Sequence, residues 1–443
     1  MTEKKATSIS GFFKLNEHKT NIRTEILAGV TTFFAMAYII LVNPSFLSQT
    51  GMDFGAVFVA TCLSAALGTL LMGVIANYPI ALAPGMGLNA YFTFAVCLGM
   101  GIPWQKALGA VFISGVIFLL LTVTKVREMI INSIPASLKF AVSAGIGLFI
   151  AFIGMKNAGL IVANEATFIA LNPKLSYDPN LLLTIFGLVF TVILMLRKIT
   201  GAIFIGMIVT GIIGVLTGLI APPTGVFSMP PSMAPTFLQM DVMGALELGL
   251  FAIVFSFLFV DLFDNAGTLV GVANQAGLLK DNKLPKAGRA LVTDSVATMA
   301  GASMGTSTVT SYIESASGVA SGGRTGLTSV VTSICLTLSV FFFPLVKAFA
   351  GVAAITSPAL IIVGVLMAGS LRNIRWDEFA EAVPAFLTMV MMPFTYSIAT
   401  GIAVGFILYP VCQIIMGNWK KVHPIMYVLA VLFVLRFIYV GAI

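Results

Sequence analysis

The chain has 443 residues, 58% of them hydrophobic and 9% charged, with a mean hydropathy of +1.04. Soluble domains carry about 25% charged residues, so a chain this poor in charge cannot cover a water-facing surface and reads as an integral membrane protein. The net charge of +7 is assigned to loops that orient a membrane protein, with no nucleic-acid partner.

The first 24 residues are polar and basic. They lack the apolar core and small-residue cleavage site of a signal peptide, so this cytoplasmic N-terminus and the first span are expected to persist in the mature protein. Apolar windows of roughly 17–25 residues, the length of a spanning helix, then fall at 26–46, 55–77, 79–101, 105–124, 137–155, 180–196 and 202–221. A Pro-rich connection, 222–245, follows and is expected outside the cell. Further windows fall at 246–274, 286–302, 303–320, 325–346, 356–371, 379–395 and 397–416. A last apolar stretch, 425–441, within the C-terminal segment 418–443, reads as an interfacial helix or an extra span. The cysteines at 62, 97, 335 and 412 are scattered through apolar segments without metal-ligand spacing and read as packing residues. His18 and His423 lie in polar flanks, and no metal site is expected.

Basic residues follow this arrangement. With the N-terminus inside, Lys4, Lys5, Lys14, Lys19 and Arg23 lie inside. So do Lys125 and Arg127, Arg197 and Lys198, Lys280, Lys283, Lys286 and Arg289, Arg324, Arg372 and Arg375, and Lys420 and Lys421. Outer connections carry chiefly Lys156 and Lys174, as the positive-inside rule requires. The sequence thus predicts an all-α polytopic membrane protein of fourteen transmembrane segments, a first repeat at 25–221 and a second at 246–417. An odd number of spans per half forces two like halves into opposite orientations, an inverted repeat.

The third span of each half is defective. In the first half it is "NYPIALAPGMGLNAYF" (77–92), interrupted by Pro79, Pro84, Gly85 and Gly87. In the second it is "GTSTVTSYIESASGVASGG" (305–323), rich in Gly, Ser and Thr. Paired interrupted segments point to a transporter binding site. The β-branched run Thr306, Thr308, Val309, Thr310 suits an extended strand. Free backbone groups at membrane depth need partners, and two short strands pairing with each other would supply them.

The second half also carries acids at membrane depth. Asp261 and Asp264 in "FVDLFDNAGTLVG" share a helix face at i and i+3, with Thr268 one turn further on. Asp294 stands in "LVTDSVATMAGA" and Glu314 in "SYIES". An aspartate at mid-membrane costs about 2.5–3.5 kcal/mol on insertion scales. No Lys or Arg of the neighbouring spans is expected deep enough to pair with these acids, and four of them cannot all stay charged at low dielectric. Asp261, Asp264, Asp294 and Glu314 are therefore the candidate proton-coupling groups. A planar, neutral heterocycle with ring N–H groups suits a pocket of carboxylates, strand backbone and nearby aromatics such as Phe34 and Tyr38.

With "TTFFAMAYIILVNP" (31–44), "ALAPGMGLNAYF" (81–92), "FVDLFDNAGTLVGVA" (259–273), "LVTDSVATMAGA" (291–302) and "GTSTVTSYIESASGVASGGRTGLT" (305–328), the chain resembles the nucleobase–cation symporters of nucleobase:ascorbate type, in their branch of guanine, hypoxanthine and adenine permeases. The resemblance runs from about residue 11 to about residue 440. It implies short antiparallel strands in segments 3 and 10, a core domain (25–124 and 246–346), a gate domain (137–221 and 356–417) and a homodimer among membrane lipids in the cell membrane. By motif, Asp264 and Glu314 match the base-holding acids of the related uracil transporter, and Thr268 stands where that protein has a histidine. Asn265 stands where purine permeases often have Thr. The histidine's role does not carry over to Thr268, and the candidate substrate set is Asp264, Glu314, Thr268, Gly87, Asn89, Thr310, Tyr312, Phe34 and Tyr38. The implied function is import of a purine nucleobase, guanine or hypoxanthine favoured, by proton symport and without a cofactor. An adenine-preferring or broad xanthine/uracil permease is the alternative. Rivals of other classes are an anion carrier, which four acids disfavour, a membrane-embedded enzyme and a channel.

Overall fold

A computed structural model describes residues 9–247, 251–278 and 284–440. Lys4, Lys5, Lys280 and Lys283 lie outside those residues. The chain begins with the short α1 (Ile9–Phe12), and each window in the sequence has a counterpart. Segment 1 is α2 (Ile22–Met36) and α3 (Ile39–Leu47), and segment 2 is α4 (Phe54–Leu71) ending in a wide turn at Met72–Ala76. Segment 3 is β1 (Leu82–Pro84), α5 (Met86–Ala90) and a π-helical continuation, Tyr91–Gly99. Segment 4 is α6 (Trp104–Val123), followed by α7 (Val126–Ser133). Segment 5 is α8 (Ala136–Asn157). A hairpin of β2 (Ile161–Asn164) and β3 (Phe168–Leu171), not foreseen in the sequence, leads to α9 (Pro179–Leu196) and α10 (Ala202–Leu216), segments 6 and 7.

The second half repeats the plan. Segments 8 and 9 are α11 (Phe251–Gln275) and α12 (Ala287–Met304), and segment 10 is β4 (Val309–Ser311) with α13 (Ser315–Ala320). Segment 11 is α14 (Gly326–Leu338) with α15 (Phe343–Ala350). Segments 12 to 14 are α16 (Ala353–Ala368), α17 (Phe379–Phe394) and α18 (Ile398–Ile415). Helix α19 (Pro424–Val440) packs on α18 and α7. Among the described residues, nine helices are long and apolar enough to cross a membrane.

Buried helix ends need partners for their free N–H groups, and distant segments supply them. Glu25 of α2 is fully buried and accepts from the backbone N–H of Arg324 (3.0 Å), Thr325 (3.3 Å) and Thr328 (3.2 Å) and from Thr328 Oγ1 (2.6 Å). Asn77 Oδ1 accepts from Gly326 N at 2.7 Å. The N-terminus of α14 is thus capped by side chains about 250–300 positions away. Small residues let these backbones meet: a Cβ on Gly326 would stand 1.9 Å from Gly73 O.

Packing separates the helices into two sets. In one, α2, α4, α6, α11, α12 and α14 pack together, with α4, α11 and α12 against the strands; in the other, α8, α9, α10, α16, α17 and α18 pack on one another. Asp264 and Glu314 lie where the sets face each other.

Candidate functional site

Strands β1 and β4 meet antiparallel, with Leu82 opposite Ser311, Ala83 opposite Thr310 and Pro84 opposite Val309. Pro84 removes one donor, yet the ladder extends at both ends: Gly85 N donates to Thr308 O and Tyr312 N to Ala81 O, each at 2.9 Å. So short a ladder leaves outer backbone groups open, and hydroxyls close them. Thr69 Oγ1 both donates to Leu82 O and accepts from Leu82 N at 2.9 Å. Thr298 Oγ1 donates to Val309 O at 2.9 Å, and Ser315 Oγ accepts from Ala81 N at 3.0 Å. Asn43, at the end of segment 1, donates to Thr61 Oγ1 (2.7 Å) and Thr306 Oγ1 (2.9 Å), tying segments 1, 2 and 10 together.

A cleft opens beside this ladder. One wall carries Tyr38, Gly85, Gly87, Asp264, Thr268, Thr310, Ser311, Tyr312 and Glu314. The other carries Ser143 of α8 and Val363, Leu366 and Met367 of α16. Asp264 is half-buried in α11 and faces the ladder end: a Cβ on Gly85 would lie 2.6 Å from the Thr310 methyl and 3.4 Å from Asp264 Oδ2. Only glycine leaves that approach open. Glu314 precedes the first residue of α13, and its Oε1 accepts from Tyr38 Oη at 2.5 Å. Tyr312 Oη donates to Pro84 O at 2.6 Å, fixing its ring against the ladder. The free space is about 50 Å³, room for a water or two.

The acids separate by environment. Asp264 and Glu314 reach the cleft. Asp261, one turn earlier, is fully buried facing Thr310, and neither of its oxygens has a hydrogen-bond partner among the described residues. Asp294 is not unpaired, which corrects the expectation from sequence. Arg127, counted there as a loop charge, is fully buried, and its Nη2 stands 2.9 Å from Asp294 Oδ2. The physical reason is α7: the linker folds back as a helix and carries its guanidinium between segments 4 and 9, where Phe118 lies 4.0 Å beneath it.

Residues 23–404 match a family model, Xan_ur_permease, of the Permease family. The chain belongs to the nucleobase permease family. The permease is 52% identical over 439 residues to guanine/hypoxanthine permease PbuG of Bacillus subtilis, across 97% of this chain and 99% of the relative. It is 47% identical over 434 residues to adenine permease AdeQ of Escherichia coli, across 98% and 97%. Among solved structures, the transmembrane domain of the cyanobacterial bicarbonate transporter BicA aligns with a TM-score of 0.66 at 14% identity, covering 87% of this chain and 97% of that one. That likeness concerns the fold: fourteen segments in two inverted repeats of seven, with strands in segments 3 and 10.

Of the substrate residues expected in the permease, Asp264, Glu314, Thr268, Gly87, Thr310, Tyr312 and Tyr38 line the cleft. Two do not. Asn89 is buried behind the ladder, where Nδ2 donates to Pro84 O at 3.3 Å and Oδ1 accepts from Ser307 Oγ. Phe34 turns away from the acids into a separate apolar pocket with Phe33 and Phe204, at ring centroids 5.4 and 6.2 Å away. Asn265 lies beside Asp294 rather than in the cleft. Sequence reasoning missed Ser143, Val363, Leu366 and Met367, which sit in ordinary apolar windows with no local mark. It also missed the burial of Arg127, whose one signal was the mixed apolar and polar stretch "VREMIINS" inside an expected loop.

Proposed function

We propose that the permease imports purine nucleobases, guanine and hypoxanthine ahead of adenine, by proton symport across the cell membrane, with its N-terminus in the cytoplasm. The observation that carries this reading is the convergence of Asp264 and Glu314, with strand backbone between them, on one cleft. Two acids on one side of a planar ring accept from ring N–H and amino groups. The edges of residues 85–89 and 308–312 complement the remaining ring atoms, and the rings of Tyr38 and Tyr312 flank the base. An anion would meet repulsion here. The 52% identity to a guanine/hypoxanthine permease favours 6-oxopurines.

Asp264 and Glu314 cannot both stay charged beside a neutral base in a dry cleft. A proton taken up with the base removes that penalty and is released when the cleft opens to the other side. The ion pair of Asp294 with Arg127 leaves the acids nearer the cleft, including unpartnered Asp261, as the carriers. Because the cleft holds only about 50 Å³, admitting a base requires α8 and α16 to draw back from the ladder. Rigid-body motion of the gate, 137–221 and 356–417, against the core, 25–124 and 246–346, provides alternating access. The protein works as a homodimer embedded in membrane lipids.

Uptake of radiolabelled hypoxanthine into proteoliposomes, with unlabelled bases as competitors at two pH values, tests this. Guanine and hypoxanthine should compete at lower concentrations than adenine, and collapsing an inward proton gradient should abolish accumulation. Accumulation indifferent to the proton gradient, or adenine as the strongest competitor, would overturn the corresponding part.

A further inference from the structure

The Arg127–Asp294 pair lies outside the cleft, and its position in the chain matters more than its charge. Arg127 belongs to α7, an eight-residue helix between α6, which packs in the strand-bearing set, and α8, which packs in the other. Lys125, at φ 62, turns the chain sharply from α6 into α7. Ile134 and Pro135, with ψ of 131 and 141, are extended and separate α7 from α8. The guanidinium reaches Asp294 Oδ2 at 2.9 Å, Leu291 O at 3.4 Å and Ser295 Oγ at 3.5 Å, all on α12, and covers the Phe118 ring of α6 at 4.0 Å. One turn beyond Asp294, Thr298 of the same helix holds Val309 of β4, and β4 runs directly into Thr310 and Ser311 at the cleft.

We propose that Arg127 is a positioning residue for transport, pinning the connecting helix to the strand-bearing set so that motion of α8 is taken up at residues 134–135 and not by α7 peeling away. The inference rests on the alternating-access reading above. The planar fork of Arg suits the task, since it can hold several acceptors and lie on an aromatic face at once. Packing stability alone gives little reason for the pair, because a well-packed apolar pair often serves as well or better at a buried position. A pin needs direction, and hydrogen bonds to three points on one helix provide it.

The test uses the full-length protein in proteoliposomes and compares wild type with Arg127→Lys and with the double variant Arg127→Met/Asp294→Asn, which leaves no uncompensated charge. Three readouts are taken: hypoxanthine affinity, hypoxanthine counterflow, which needs alternating access but no net proton movement, and amide hydrogen exchange over residues 126–133. The double variant should bind within threefold of wild type, exchange substrate at least tenfold more slowly, and exchange its α7 amides at least tenfold faster. Arg127→Lys, which keeps the cation, should restore part of the counterflow. Counterflow within threefold of wild type, α7 exchange unchanged in the double variant, or affinity falling in step with counterflow would each overturn the pin. Should wild type itself fail to move purines, the functional reading falls, while the α7 exchange comparison still decides the pin.

Discussion

With the coupled proton on Asp264, Glu314 is the charged acid of the cleft, and replacing it by Gln removes that charge while keeping the side chain's length and an oxygen for the Tyr38 hydroxyl, now 2.5 Å from Oε1. The residue is 9% exposed at the head of α13, so solvent does little to replace the lost charge. A hydrogen bond to a charged group contributes about 1.5–3 kcal/mol and one between neutral groups about 0.5–1.5 kcal/mol. Because Tyr38 keeps its acceptor with and without substrate, its share cancels. What remains is the contact from a purine N–H, weakened by about 1–1.5 kcal/mol, which raises the hypoxanthine Kd about 5- to 13-fold. Glu314→Ala loses the contact outright, so its Kd should rise further, about 10- to 150-fold. Isothermal titration of purified protein at fixed pH measures both, with thermal melting to establish that each variant is folded. A Gln variant binding within twofold of wild type, or an Ala variant no weaker than the Gln variant, would refute the placement of Glu314 against the base.

Glu25→Ala leaves the backbone N–H groups of Arg324 and Thr325 without their acceptor, while Thr328 N keeps Thr325 O at 3.2 Å and the Thr328 hydroxyl keeps the backbone oxygen of residue 25 at 3.5 Å. At about 1 kcal/mol or more for each stranded group, the apparent melting temperature in detergent should fall sharply, with Glu25→Gln intermediate. Gly326→Ala drives a methyl to 1.9 Å from Gly73 O, and size-exclusion chromatography should show loss of monodisperse protein. Phe34→Ala should leave hypoxanthine affinity within twofold of wild type in the same titration, because its ring stands in the separate apolar pocket.

Much of this molecule is legible from one strand of text. The apolar windows reappear as helices, and the two damaged spans as short strands running into short helices. Spanning length is a local property, so a hydropathy count finds it. The strands were legible for a related reason: residues that interrupt a helix at membrane depth oblige the backbone to find other partners, and the second damaged span lies at the matching place. The cleft acids Asp264 and Glu314 stood out because a carboxylate in an apolar run is costly wherever it points.

Other assignments misled. Arg127 read as a loop charge because its half-polar surroundings mark a short helix at most and not that α7 folds back between segments 4 and 9. Asn89 and Phe34 lie in motif stretches close to the cleft residues, yet helical rotation turns one behind the ladder and the other into a different pocket. The sequence by itself determined which stretches enter the membrane and which acids require explanation, since both follow from the transfer cost of short segments. Tertiary structure alone decided which of those acids is paired with a cation and which reaches the cleft, because the partners, as with Arg127 and Asp294 at 167 positions apart, come together only when separate helices pack.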